Sequence, residues 1–151
     1  MNARRVRSRG TVDPRKGTDV EIVPQQPTTK GPADRFTGDV WFDVIASGAE
    51  PSRIRVNAVR FSPGARTAWH AHAVGQTLYV VDGIGLVQSR GEAVAEIHPG
   101  DVVHTPPGEW HWHGATPDHF MTHLAMWDAP AEGAESEWGA LVTDDEYRGG
   151  A

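Results

Sequence analysis

The 151-residue chain contains no cysteine. That absence excludes disulfide stapling, zinc ribbons, iron–sulfur clusters and a thiolate nucleophile, and leaves imidazole as the strongest nitrogen or sulfur ligand available to a metal. Long apolar runs are missing as well, so neither a signal peptide nor a membrane span is expected and the chain reads as soluble and cytoplasmic. There is no phosphate-cradling glycine loop, no heptad pattern and no repeat of 20 to 50 residues, which argues against P-loop or Rossmann nucleotide chemistry. Basic charge is scarce beyond the first residues. Of 14 Lys and Arg, four (Arg4, Arg5, Arg7, Arg9) fall in the first nine positions, leaving ten cations against 20 acids. Such a body is a poor match for nucleic acid or an anionic membrane, so the expected partner is a small-molecule substrate.

What is present is concentrated. All eight histidines lie between His70 and His123, and 17 Gly with 11 Pro punctuate the chain. Turn residues this frequent favour many short strands over long helices. Residues 1–30 read as a flexible arm with one short strand at Val20–Val23. Residues 31–130 read as one β-barrel, with strand-length runs at Val40–Ile45, Ile54–Phe61, Gln76–Val81, Gly85–Gln88, Ala93–Ile97, Asp101–His104 and His119–Trp127. Residues 131–151 read as an acidic tail, with a short helix near Thr143–Tyr147 and Trp138 and Leu141 as packing anchors. The expected class is an all-β, single-domain antiparallel barrel or jelly roll.

In Trp69-His70-Ala71-His72, the two histidines are two apart, so on a strand they project from one face and can hold a single ion. Gln76 shares its parity with Leu78 and Val80, which places an amide among apolar neighbours where it needs a partner. His111, after the turn Pro106-Pro107-Gly108, opens a second strand-like His-Trp-His run and supplies the remaining ligand. Trp110 and Trp112 alternate with His111, so they face away from it and pack a second sheet or a subunit interface. His98, His104 and His119 sit at turns or on the surface and are read as bystanders.

These spacings resemble the cupins, small metal-binding β-barrels. Their first motif is matched by Gly64, His70-Ala71-His72, Gln76 and Gly83, and their second by Gly100, Pro106-Pro107-Gly108 and His111. Eight of ten fixed positions agree. Gln76 stands where the family usually has Glu, and Ala115 where it usually has Asn. A ligand set of three neutral imidazoles and an amide leaves a divalent ion its full charge, which favours Lewis-acid chemistry over the carboxylate-containing facial triad of iron oxygenases. Within the family, the segments Lys30–Gly38, Pro63–His70, Gly75–Leu78, His98–Val103 and Met121–Ala125 resemble the bacterial cupin hydroxynitrile lyases. That resemblance implies a metal-dependent lyase that cleaves or forms aromatic cyanohydrins, mandelonitrile to benzaldehyde and hydrogen cyanide being the model reaction. It implies His70, His72, Gln76 and His111 as ligands to Mn2+ or Fe2+, with Zn2+, Ni2+ or Co2+ also accommodated.

The resemblance further implies His123 as acid/base with His113 and Thr67 beside it, and a substrate pocket that includes Asn57, Val59 and Trp127. Those lyases carry Gln where this chain has Trp127. A homodimer or homotetramer is the expected assembly. Two rival readings keep the barrel and change the chemistry: an iron dioxygenase cutting a carbon–carbon bond, and a metal-stabilised binding domain without turnover.

Overall fold

The computed structural model describes residues 20–150. The Arg-rich part of the expected arm, residues 1–19, lies outside them. Val20–Val23 forms no strand: Val20 and Ile22 are fully exposed with nothing to pair against. The first strand comes later, β1 at Thr29–Lys30, where Thr29 and Lys30 pair with Phe42 and Trp41.

Two antiparallel sheets follow. The first runs in the order β1, β3 (Val40–Ala46), β4 (Ile54–Phe61), β12 (Met121–Asp128), β7 (Gln76–Gly83), β10 (Val102–Thr105). The second runs β13 (Ser136–Trp138), β6 (His70–His72), β11 (His111–Ala115), β5 (Arg66–Thr67), β2 (Phe36–Thr37), with β8 (Gly85–Ser89) pairing β11 and β9 (Ala95–Ile97). The sheet therefore reaches past residue 130, because Ser136, Glu137 and Trp138 pair with His72, Ala71 and His70.

Alternation decides what faces inward. In β12, Met121, His123 and Ala125 are buried, while Thr122, Leu124 and Met126 between them are half-exposed. In β7 the same period buries Gln76, Leu78 and Val80. The apolar part of the interior is built on Val40, Phe61, Leu78, Val80 and Met121, all 1% exposed or less. At Gly83 the chain turns from β7 into β8 with φ +80°, and a Cβ there would overlap the Phe120 carbonyl.

A second cluster, Trp69, Trp112, Val142 and Tyr147, fills the outer face of the His-bearing sheet. The C-terminal segment covers it. A single helical turn, α1 (Asp144–Tyr147), is started by a Thr143 and Glu146 capping box. The Tyr147 hydroxyl donates to the Ala115 carbonyl at 2.6 Å. Buried Arg66 donates to the Val142 carbonyl at 2.8 Å and to Asp144 at 2.9 Å, with its guanidinium over the Tyr147 ring. The apolar anchor of the tail is Val142, 2% exposed; Leu141, expected in that role, is 44% exposed because its parity points outward. Trp112 packs beneath this tail, and its indole N–H donates to Gln88 at 2.7 Å.

Candidate metal centre and cavity

Strand pairing brings the two histidine motifs together, since His70 on β6 lies opposite His111 on β11. His70, His72, His111, His113 and Gln76 are each 5% exposed or less. Their outer nitrogens are held by fixed partners. Nδ1 of His70 donates to the Ala68 carbonyl at 2.9 Å and Nδ1 of His111 to the Glu109 carbonyl at 3.0 Å, and Nδ1 of His72 lies 3.0 Å from the Ser136 hydroxyl. Second partners of this kind set the ring orientation and the tautomer, leaving Nε2 to face the centre.

Burial pushes every one of these rings toward the neutral form. His70 and His113 fall well below the ordinary histidine range, through desolvation first and neighbouring imidazoles second. Desolvation takes His72 down to about 4 and lowers His111 as well. Neutral imidazole is the form that ligates a metal.

The donor set fits a cation. With its Nδ1–H donating to the Glu109 backbone carbonyl, neutral His111 has only a lone pair at Nε2, yet Nε2 lies 3.0 Å from Gln76 Oε1, also an acceptor in this amide orientation. Two acceptors facing one another at that distance would be reconciled by a positive ion between them. His72 Nε2 is buried with no hydrogen-bond partner. Ring nitrogens of His70, His111 and His113 lie within 4.8 Å of one another. His113 thus stands closer to the centre than the sequence implied. His72 lies just outside that group, its ring 5.3 Å from His70 and 6.1 Å from His111.

Above these residues opens a cavity of about 380 Å³. Asn57, Val59, Thr67, His113 and Trp127, all expected at the pocket, line it with His70, His72 and Gln76. His123 does not. It is fully buried against Phe61 and reaches the cavity only through His113, whose Nδ1 is 2.9 Å from His123 Nε2. Burial alone lowers His123 to about 3, so it is neutral too. His98, His104 and His119 are exposed.

Several wall residues carry no signal in the sequence pattern. Phe36 and Phe42 approach from the N-terminal strands. Glu135, Ser136 and Trp138 enter from the acidic tail, with Trp138, expected as a packing anchor, stacked on His70 at 4.6 Å.

An antiparallel barrel with a buried His-x-His pair, an in-phase amide and a third strand histidine is the architecture of a cupin. Residues 57–126 match the Cupin domain family. The chain is 49% identical over 130 residues to an (R)-mandelonitrile lyase of Granulicella tundricola, covering 86% of this chain and 98% of that protein, and it belongs to the cupin family. Among solved structures, a cupin-like protein of Thermotoga maritima superimposes with TM-score 0.76 at 39% identity, covering 85% of this chain and 96% of the other. The polyketide cyclase RemF of Streptomyces resistomycificus shares the fold, with TM-score 0.64 at 20% identity over 85% of this chain and 91% of its own. No helix among the described residues is long and apolar enough to cross a membrane.

Proposed function

We propose that this cupin is a hydroxynitrile lyase acting on aromatic cyanohydrins of the mandelonitrile type, with a divalent metal held by His70, His72, Gln76 and His111. One observation carries the reading: a cluster of neutral imidazoles and an amide opens directly onto a cavity walled by Phe36, Phe42, Trp127 and Trp138. The 49% identity to an (R)-mandelonitrile lyase supports the same chemistry. A divalent ion bound there supplies a Lewis acid that stabilises negative charge on the substrate oxygen.

The protein's own groups handle the proton. Aromatic walls hold the ring of the cyanohydrin and exclude water. His113 Nε2, buried and unpartnered, takes the hydroxyl proton as the carbon–cyanide bond breaks and the carbonyl forms. It then returns that proton to the departing cyanide, giving aldehyde and hydrogen cyanide. Because burial disfavours its charged form, His113 protonated in this way is a strong acid toward cyanide. His123 orients the His113 ring from behind and has no contact with the cavity. Thr67, accepting from the His113 backbone N–H at 3.2 Å, fixes the strand that carries it.

The test is anaerobic cleavage of mandelonitrile by metal-free protein reloaded separately with manganese, iron and zinc. Cyanide released without oxygen is the expected result. No cyanide with any metal overturns the lyase, and an absolute need for oxygen replaces it with a dioxygenase. His113→Ala should retain metal and lose turnover, and loss of the metal itself would move His113 into the ligand set.

A further inference from the structure

Trp127 does not hang freely at the cavity mouth. Its indole N–H donates to Glu135 Oε2 at 3.0 Å, while Glu135 Oε1 accepts two bonds from Arg55, from Nε at 3.1 Å and from Nη2 at 2.8 Å. Arg55 and Trp127 are direct partners across β4 and β12, so both side chains leave the same face of the sheet, and Glu135 reaches them from the segment before β13. Arg55 is itself tied to the Ser47 carbonyl. The carboxylate is held from two sides, by the indole N–H and by the Arg55 guanidinium.

What the latch holds in place is a partition. Trp127 lines the 380 Å³ cavity and also a neighbouring hollow of about 180 Å³ bordered by Ile54, Val74, His104 and Met126. Only Gln76 and Trp127 line both. Gln76 is buried among the site histidines at 5% exposure, so the indole is the movable part of the wall.

We propose that Glu135 is a specificity-determining positioning residue: by binding the Trp127 indole and the Arg55 guanidinium together, it fixes the indole as the wall that sizes the cavity for a single aromatic ring. Without it the indole is free to rotate toward the second hollow, and the joined space admits a fused bicyclic group. This rests on the reading of the cavity as the seat of an aromatic substrate. It adds to that reading the residue that sets substrate size.

The experiment is calorimetric binding of benzyl alcohol and of 2-naphthalenemethanol to the metal-loaded protein. Wild type should prefer the single ring. Glu135→Ala should shift the ratio of the two dissociation constants toward the naphthyl probe by about tenfold, the scale of a lost charge-assisted hydrogen bond. Glu135→Gln, which keeps an oxygen for the indole N–H but turns an amide donor toward the Arg55 guanidinium, should fall between wild type and Glu135→Ala. Trp127→Phe should move the ratio in the same direction as Glu135→Ala, and combining the two should add less than about twofold.

An unchanged ratio in folded Glu135→Ala, or full additivity with Trp127→Phe, overturns the proposal. Should Glu135→Ala fail to fold, Trp127→Phe decides it: an unchanged ratio there overturns it equally. The lyase reading is judged separately, by cyanide release from wild type. A shifted binding ratio without cyanide release keeps the role of Glu135 and discards the lyase, while cyanide release with an unshifted ratio does the reverse.

Discussion

The two faces of β11 are both buried and have opposite chemistry. Outward, Trp112 is completely enclosed by Trp69, Val142 and Tyr147, and its one polar atom is satisfied by Gln88. Inward, His111 and His113 are as deeply enclosed, yet His113 Nε2 has no partner and His111 Nε2 faces another acceptor. One face spends its burial on stability. The other carries desolvated lone pairs at a cost in stability, and that cost is what makes the face available to a cation. The difference shows that depth of burial alone does not mark a core; whether the buried polar atoms are satisfied does.

The strongest way to break this comparison is to empty each face in turn. Trp112→Ala should destabilise the protein by about 3–5 kcal/mol, because it leaves a large cavity under the tail. Metal content per folded molecule should not change, which denaturant titration and elemental analysis check together. His111→Ala should do the converse, weakening metal affinity by more than about 100-fold, since even partners of ligands cost 10–100-fold. In metal-free protein its effect on stability should be far smaller than that of Trp112→Ala. Equal stability losses from the two variants would erase the distinction between the faces.

Acidity sharpens the same contrast. His72 and His123 titrate at about 4 and about 3 in the fold, against the ordinary value of 6.5. Between these limits the unfolded chain binds more protons than the folded one, so stability is at its full value above about pH 6.5 and declines as pH falls. The slope should approach about 1.4 kcal/mol per pH unit for each such ring, and His123→Leu should flatten it. A flat profile of metal-free protein between pH 7 and 4.5 would contradict the neutral state of the inward face. Ser136→Ala, the mildest change, should weaken metal binding by about tenfold through loss of the His72 anchor, while leaving Trp112 and its surroundings intact.

Much of the fold was legible because alternation is a local property. Ile54–Phe61 was bounded correctly, and the parity of His70, His72, Gln76, His111 and Trp112 predicted which side each would occupy. Two-residue strands such as β2 and β5 are too short to carry a period, and β13 is recruited by pairing to β6 across more than 60 residues. Glu135 therefore reads in the sequence only as one acid of the tail, and Ser136 carries no signal at all. The chain order around His123 shows which face it takes but not its depth along the barrel, and depth is what puts His113 between it and the cavity.

The pairing of β13 with β6 has a consequence for assembly in time. During synthesis the histidines of β6 and β11 emerge well before Ser136, Trp138 and the Arg66 partners Val142 and Asp144. For that interval the proposed ligands would sit on a nascent chain without the Ser136 partner of His72 and the Trp138 cover of His70. The site is completed only by the pairing of β13 with β6, so an ion bound before that pairing would meet a looser set of donors than the finished protein presents.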